Sequence, residues 1–386
     1  MKITHLCLAN FYIDNYSYQE NMLPKMHKQL GYDVEIIAST ETFVDGVHIG
    51  YIKPSSYVNE YDISVTRLPY IKYLPSKIVH KLRVYPGVYN KLEESSPDII
   101  FMHGAQFLSI GAVVKYLKNH PNVILFVDSH ADFSNSAKTF VSKNILHKII
   151  YKYGIKRINP FVKKWYGVLP ARVEFLRNVY GLPAEKIDFL PMGADDDMVE
   201  KFSSPVIRDE YRKKYGIDEK DFLIVTGGKI NFAKKQTLLL MDAVNKSGNS
   251  KLKLIVFGSI APELKNEVEK RCSNNVKYIG WLSSEDSYPV FAMADLAAFP
   301  GRHSVYWEQV AGMGIPMIVK YWDGTTHVDR GGNVIFLYED SVDEIKNSIE
   351  GLFTNGEFEK MKSIAECNKK FFSYRDIAKR SIVCNT

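Results

Sequence analysis

The stretch from Phe299 to Lys320, FPGRHSVYWEQVAGMGIPMIVK, joins two apolar strands through a loop and a helix. The chain turns at Pro300-Gly301 after the strand ADLAAF, and a helical pattern begins near Ser304. This layout is typical of a phosphate site, because free backbone N–H groups and the positive end of the helix dipole face the end of the strand. Glu308, in the first turns of the helix, cannot bind phosphate but can accept hydrogen bonds from sugar hydroxyls. The stretch therefore predicts an α/β fold with a nucleotide-sugar site.

The composition is that of an ordinary globular protein with two domains. The chain has 386 residues, of which 46% are apolar and 24% charged. The four cysteines have neither a metal-ligand spacing nor a C-x-x-C spacing, so we expect reduced thiols and a cytoplasmic protein. The N-terminus lacks the long apolar run of a signal peptide. The longest apolar stretch, 99–117, is interrupted by polar residues, so we predict no membrane-spanning helix.

Positive charge is concentrated in the first half of the chain. The net charge is +6, and the stretches 63–92 and 133–173 contain no acidic residue. One-signed charge on this scale indicates an anionic partner, such as a membrane surface, a pyrophosphate-linked acceptor or nucleic acid. No nucleic-acid-binding motif accompanies the charge, so we expect no nucleic acid partner.

Strands alternate with helices on both sides of the segment 191–205, which is rich in Gly, Asp, Ser and Pro. This alternation predicts parallel sheets, and the segment predicts a domain boundary. We therefore expect two Rossmann-like, doubly wound domains facing each other across a cleft, over residues 1–195 and 196–370. The remaining residues, 371–386, are predicted to form a closing helix that packs back on the first domain.

Strand ends in the second half carry glycines and cations. Gly228 and Lys229 follow one strand, and Lys234 and Lys235 precede the next helix. Two cations in a strand-to-helix loop can neutralise a diphosphate, although a solvated basic turn has the same composition. Gly258 follows the next strand, and the nearby pair Trp281-Leu282 is a candidate for contact with a base. Each signal is weak alone, but together they lie at successive strand ends of one sheet.

The segments GGKINFAKKQTLLLMDAV (227–244) and HSVYWEQVAGMGIPMIV (303–319) resemble the second domain of the family 4 glycosyltransferases, which have the GT-B architecture. In the first half, the segment 165–195 resembles that family's stretch ending P-N-G-V-D, so the resemblance covers nearly the whole chain. One departure concerns the family's E-x7-E pattern, because only its second glutamate, Glu308, is present. Another is the loop before the helix at 237, which is one residue longer than the family's loop.

The resemblance implies a role for particular residues. Lys229 and Lys235 match the family's phosphate-binding arginine and lysine, and Glu308 matches the glutamate that holds the nucleotide's ribose. His303 and Ser304 match residues whose backbone amides touch the diphosphate. His130, in FVDSHADF, matches a first-domain histidine close to the transferred sugar. Its sequence neighbours Asp128 and Asp132 are candidates to orient it, whereas His103 is equally well explained as a packed histidine.

The resemblance implies an enzyme that transfers a sugar from a nucleoside-diphosphate donor to an acceptor hydroxyl, with retention of configuration. The implied acceptor is a carbohydrate or a lipid-linked molecule, in surface polysaccharide or glycolipid assembly. Chemistry led by lysines and helix amides needs no metal or other cofactor. A nucleotide-sugar 2-epimerase of the same architecture is one alternative. A nucleotide-sugar-binding protein without catalysis is another, because the first glutamate is missing.

The predicted helix 137–159 adds a membrane hypothesis. Lys148, Lys152 and Lys156 are spaced by four and form one stripe. The functional interpretation is peripheral contact with an anionic membrane at its inner face, and the alternative is a solvated helix face.

Overall fold

The computed structural model describes residues 1–44, 48–73 and 75–383. The chain forms two compact units, one comprising Met1–Pro191 with Ile377–Thr386 and the other Met192–Asp376. The predicted boundary after residue 195 falls just inside the second unit. Of the predicted closing segment, the residues from Ile377 onward belong to the first unit, and the last three lie outside the described residues. Cys7, Cys272 and Cys367 are free thiols, and Cys384 lies outside the described residues.

The first unit is built on a parallel sheet. Its strands are β1 (Lys2–Cys7), β2 (Asp33–Ser39), β3 (Glu41–Phe43), β4 (Ile49–Tyr51), β5 (Ser55–Val58), β6 (Ser64–Leu68), β7 (Ile99–His103), β8 (Ile124–Ser129), β9 (Val162–Gly167) and β10 (Ile187–Phe189). The order in the main sheet is β10-β9-β8-β7-β1-β2-β6-β5, and β3 pairs with β4 separately. Only β5 runs antiparallel to its neighbour in the main sheet. The buried strand residues are mostly apolar, as expected for a parallel sheet covered on both faces.

Helices connect these strands. They are α1 (Gln19–Gln29), α2 (Ser76–Leu82), α3 (Val88–Ser95), α4 (Ile110–Asn119), a π-helix (Val141–Tyr151), α5 (Lys152–Ile158) and α6 (Pro170–Asn178). The predicted helix 137–159 is thus a π-helix followed by α5. π-Helices are rare and are frequently found at functional sites. Among the described residues, no helix is long and apolar enough to cross a membrane.

The second unit contains one parallel sheet of six strands. They are β11 (Phe222–Gly227), β12 (Leu252–Phe257), β13 (Val276–Tyr278), β14 (Leu296–Phe299), β15 (Met317–Lys320) and β16 (Val334–Leu337). Helices α7 (Asp196–Phe202) and α8 (Pro205–Tyr215) precede the sheet. The others are α9 (Gln236–Lys246), α10 (Lys265–Glu269), α11 (Ser284–Ala292), α12 (Tyr306–Gly312), α13 (Val342–Gly351), α14 (Glu357–Asn368) and α15 (Tyr374–Ser381), which continues into the first unit.

The strand order of the second sheet is β13-β12-β11-β14-β15-β16. Numbered within the unit, this order is 3-2-1-4-5-6, which defines the Rossmann fold. The first sheet has the same order about β1, with extra strands at both edges. In such sheets ligands bind at the carboxyl ends of the two central strands, where the strand order reverses. In the second unit these strands are β11 and β14.

Candidate active site

Two loops lie side by side at the point where the strand order of the second sheet reverses. One follows β11 and contains Gly228 and Lys234, and the other follows β14 and contains Gly301 and Arg302. They are close enough that a Cβ atom on Gly301 would lie 3.7 Å from the Cα atom of Lys234. The sequence therefore places its lysine-rich loop and its 299–320 stretch at one ligand-binding edge.

Backbone hydrogen bonds join the loop after β12 to the loop after β11. The backbone N–H of Ile230 donates to the carbonyl of Ser259 at 2.8 Å, and the N–H of Gly228 donates to Phe257 at 3.1 Å. Gly258 has a φ of +125°, and a Cβ atom there would lie 1.9 Å from the carbonyl oxygen of Gly228. Both the conformation and the contact require glycine, so Gly258 holds the backbone of the lysine loop in place.

The cations of the lysine loop differ in their surroundings. The side chains of Lys229 and Lys235 are exposed, whereas Lys234 is half-buried. Burial, and then the charge of Arg302, lower the pKa of Lys234. Among the described residues, no carboxylate forms an ion pair with Lys234 or Arg302. Two neighbouring cations without an acid form a site for an anion.

The environment of Arg302 also favours an open anion site. Its guanidinium lies 6.0 Å from the ring centre of Trp322, whose indole N–H donates to the carbonyl of Gly301 at 3.4 Å. The charge of Lys235, in contrast, affects the carboxyl group of Asp340, together with two other groups. A hydrogen bond from Gln236, an ion pair with Lys320 and the charge of Lys235 lower the pKa of that carboxyl. Lys234 is therefore the lysine of this loop that the structure places beside Arg302.

Glu308 lies at the start of α12 and is fully buried. Its Oε1 atom accepts hydrogen bonds from Nε2 of His303 and Nε2 of His327, each at 2.8 Å. Burial raises the pKa of Glu308, but the charge of His303 and the hydrogen bonds from both rings outweigh burial and hold the pKa well below its ordinary value. The residue is therefore a carboxylate held in one orientation by two imidazoles.

The second oxygen of this carboxylate is available as an acceptor. Oε2 of Glu308 is buried and has no hydrogen-bond partner among the described residues. A buried carboxylate oxygen without a donor is unfavourable unless a ligand supplies one. The donor atoms of Glu308, His303 and His327 also lie within 4.8 Å of one another, a grouping that can hold a metal ion. The predicted absence of a metal therefore stays a prediction.

In the first unit, His130 follows β8 and lies between two carboxylates. Its Nε2 atom is 3.6 Å from Oδ2 of Asp128 and 3.8 Å from Oε1 of Glu20. Burial lowers the pKa of His130, but the charges of Glu20 and Asp128 outweigh burial and raise it. The second acid is thus Glu20 on α1. Asp132 instead forms an ion pair with Arg172 at 3.1 Å.

A chain of buried histidines supports Asp128 from behind. His103 Nδ1 is 2.8 Å from Oδ2 of Asp128, and His103 Nε2 is 3.0 Å from His5 Nδ1. His5 Nε2 is 3.1 Å from His27 Nδ1, and His27 Nε2 is 3.1 Å from the carbonyl oxygen of Ala378. The chain therefore runs from the end of β8 through β7, β1 and α1 to α15.

The donors in this chain can be assigned by counting protons. His27 must donate through Nε2, because a carbonyl oxygen only accepts, so His5 donates to His27 and His103 donates to His5. His103 also contacts Asp128 through Nδ1, which hydrogen-bonds Oδ2 of that carboxylate at 2.8 Å. Burial raises the pKa of Asp128, but the positive charges of His103 and His130 hold it well below its ordinary value. His103 therefore holds Asp128 in place through a buried hydrogen bond.

Part of the chain matches a known family model, and the whole chain is similar in structure to several solved proteins. Residues 207–370 match the family model described as Glycosyl transferases group 1. A comparison with curated protein sequences gives no match. Among solved structures, HepE from Anabaena in complex with UDP has a TM-score of 0.69 and 16% identity, covering 98% of each chain. The chain has the GT-B fold.

Other GT-B structures are similar over the same length. A glycosyltransferase from Rickettsia africae has a TM-score of 0.67 and 14% identity, covering 98% of this chain and 96% of that one. The UDP-GlcNAc 2-epimerase from Neisseria meningitidis has a TM-score of 0.64 and 12% identity, covering 98% of each chain. Identities this low establish the fold alone. The predicted α/β fold with two Rossmann-like domains is therefore confirmed.

The remaining predicted residues of the GT-B second domain lie at its surface or beside its core. Trp281 is 69% exposed, and Leu282 is half-buried against the apolar core. Ser304 lies just before α12, where its carbonyl accepts the N–H of Trp307 at 3.0 Å. Their contacts with a nucleotide stay predictions, as do those of Lys229, Lys235 and the His303 backbone.

The sequence analysis gives no role to three residues of these clusters, Arg302, His327 and Glu20. It names Lys234 as one of the loop's cations, whereas the resemblance assigns the phosphate-binding role to Lys235. His327 lies in a loop with no strand or glycine signal beside it, and Glu20 is distant in sequence from Asp128.

Proposed function

We propose that this protein is a glycosyltransferase that moves a sugar from a nucleoside-diphosphate donor to an acceptor hydroxyl. The observation that carries the proposal is the unpaired cation pair, Lys234 and Arg302, where the strand order of the second sheet reverses. These cations lie inside the segment that matches the group 1 glycosyl transferases. The diphosphate would lie against them, and Lys229 would add charge from the same loop. The UDP bound by HepE makes UDP the first donor nucleotide to test.

The proposed chemistry needs positive charge where the sugar leaves. As the bond between the sugar and the diphosphate breaks, negative charge builds on the diphosphate, and fixed cations stabilise that charge. Glu308 would hold the ribose by accepting from a sugar hydroxyl through Oε2. We assign His130 in the first domain to the reacting sugar, where its raised pKa would favour donation of a hydrogen bond. Retention of configuration and independence from metal are parts of the proposal.

A turnover assay tests the proposal. The protein is incubated with a radiolabelled nucleotide sugar, with and without a mixture of carbohydrate and lipid-linked acceptors. We expect free nucleoside diphosphate to appear in proportion to labelled acceptor, and only when acceptor is present. Conversion of the sugar to its C2 epimer without acceptor would identify an epimerase. Tight binding with no product of either kind would indicate a binding protein.

We propose further that the first domain contacts an anionic membrane, which would bring a lipid-linked acceptor to the enzyme. The π-helix and its flanks expose five large apolar side chains, Phe140 (77%), Val141 (53%), Ile145 (42%), Ile149 (62%) and Tyr153 (67%). Lys148 and Lys156 are exposed beside them, and Lys152 is half-buried. An exposed apolar row flanked by lysines matches a surface that lies in the headgroup region of an anionic bilayer.

Vesicle binding tests the membrane contact. We expect the protein to sediment with vesicles that contain phosphatidylglycerol, and binding to weaken with salt because each basic residue near the surface contributes about 1 kcal/mol. Changing Lys148, Lys152 and Lys156 together to Glu should abolish binding. The matched control changes Lys213, Lys214 and Lys220 to Glu, which alters the net charge equally in the second domain. Equal loss in both variants would show that only net charge matters.

A further inference from the structure

A cavity in the first domain has the lining of an anion site. Its volume is about 350 Å³, within the range of small-molecule sites. The cationic side chains of Lys81 and Arg83 line it, and among the described residues no acidic side chain does. His147 also lines it, but burial and the charge of Arg83 lower its pKa to about 4. Hydroxyl groups of Ser136, Thr139 and Ser142 add hydrogen-bonding capacity.

Arg83 is the side chain that most needs a partner. Its Nε atom is buried without a hydrogen-bond partner, and among the described residues the guanidinium forms no ion pair. Burial lowers the pKa of Arg83, but the charge of Glu41 and of nearby tyrosines raises it, so the group stays charged. Glu41 is not within ion-pair distance of the guanidinium. Arg83 is half-buried, and a charge partly removed from water without a partner is unfavourable, so a bound anion would stabilise it.

The backbone of Arg83 is also unusual. It ends α2 in the left-handed region, with a φ of +52°, a position that favours glycine. The end of the helix would be more stable with glycine, so helix capping does not explain why an arginine stands at this position. The geometry thus places the only guanidinium among the described lining residues at the cavity wall.

Hydrogen bonds fix the orientation of other lining residues. His147 Nδ1 is 2.7 Å from the hydroxyl of Tyr180, and His147 Nε2 is 2.9 Å from the hydroxyl of Ser136. The hydroxyl of Ser142 donates to the carbonyl of Ser136 at 2.5 Å. Ser142 and His147 belong to the π-helix and Ser136 to the loop before it, and π-helices are frequently found at functional sites. These hydrogen bonds give the cavity a fixed polar lining.

We propose that this cavity binds a phosphoryl group of the acceptor substrate, with Arg83 as its principal partner. The volume holds a phosphate or diphosphate together with part of the group attached to it. The identification of the ligand as the acceptor rests on the proposed glycosyl transfer. The anion site itself is inferred from the residues that line the cavity. The phosphoryl group comes either from a soluble sugar phosphate or from a lipid-linked phosphate.

Calorimetry with inorganic pyrophosphate tests the site. The titration uses the full chain with Lys234→Ala, so that the second domain contributes little binding. Adding Arg83→Gln should weaken pyrophosphate binding at least tenfold, and Arg83→Lys should restore part of the affinity. The matched control, Arg157→Gln, removes an exposed arginine of the same domain and should leave the affinity unchanged. Equal affinity with and without Arg83 would overturn the proposal.

Stability separates this role from a structural one. Because Arg83 forms no ion pair within the part of the chain that the structure describes, Arg83→Gln should unfold at the same denaturant concentration as the parent or at a higher one. A marked loss of stability would show that the arginine is structural and would overturn the assignment. Lys81→Gln combined with Thr139→Val provides a second test at the cavity lining, with the same expected loss of pyrophosphate affinity.

Two further titrations identify the source of the phosphoryl group. Glucose 1-phosphate represents the soluble source, and phosphatidylcholine vesicles with a few per cent polyprenyl phosphate represent the lipid source. Arg83-dependent binding of either supports the site and names its source, and binding of neither contradicts it. UDP affinity is measured separately with Lys234 intact. If UDP does not bind but pyrophosphate binds through Arg83, the transfer proposal fails while the cavity assignment stands.

Discussion

Replacing Lys234 by Ala is expected to lower turnover about 10²- to 10³-fold, because a fixed cation would be lost where the leaving diphosphate gains charge. Removal of one preorganised donor from an oxyanion site costs about 2.7–4 kcal/mol of barrier. The unfolding free energy should change little, since Lys234 forms no ion pair among the described residues. Turnover is measured as release of nucleoside diphosphate, with Lys246→Ala on the exposed face of α9 as the matched control.

Lys235→Ala, measured beside Lys234→Ala, decides which lysine faces the diphosphate. The family pattern assigns Lys235, whereas the structure places Lys234 beside Arg302. We expect the larger loss for Lys234→Ala and a further loss when Arg302→Gln is added. A larger loss for Lys235→Ala would show that the loop turns differently when the donor binds. Undiminished turnover in both single variants would show that the diphosphate does not bind at this loop.

Glu308→Gln is expected to weaken nucleoside-diphosphate binding by about ten- to a hundredfold. Hydrogen bonds to charged groups contribute about 1.5–3 kcal/mol, and the substitution removes the charge while the shape is kept. The amide oxygen can still accept from His303 and His327, so the fold should persist. Affinity is measured by calorimetry, and integrity by the denaturant concentration at which half the protein is unfolded.

The same titrations with EDTA examine the two histidines beside Glu308. If they only orient the carboxylate, as we propose, chelation leaves the affinity of the wild-type protein unchanged. Loss of affinity on chelation, restored by a divalent metal, would instead make His303, Glu308 and His327 a metal site. Normal nucleotide affinity in an unstable Glu308→Gln variant would assign the glutamate to structure alone.

The fold could be predicted from the sequence because buried parallel strands are continuous apolar runs. The run Leu252–Phe257 is almost wholly apolar, and glycine follows it, so strand and turn were both predicted. The region from 40 to 95 was harder to predict. There β5 and β6 are short, partly exposed and antiparallel to each other, so their pattern lacks the continuous apolar run of a buried strand.

A site residue could be predicted only where a suitable residue type stands next to the end of a strand or the start of a helix in the sequence. Glu308 was identified because it follows a strand and begins a helix, and a resemblance reinforced that assignment. Its partner His327 was not identified, since the two residues meet only when β15 returns the chain to the same edge. Likewise, the histidine chain joins His5, His27 and His103 from three separate elements. Contacts of this kind depend on tertiary packing, which local pattern does not contain.

The central claim is that the second domain binds a nucleoside diphosphate through its phosphates. A thermal unfolding series with UDP, GDP, ADP and dTDP, each compared with its nucleoside, tests this most directly. The account predicts that at least one diphosphate stabilises the protein, by about 2.7 kcal/mol at 100 times its dissociation constant, and that the matching nucleoside does not at the same concentration. If no diphosphate stabilises the protein, or a nucleoside does so equally well, the account is contradicted.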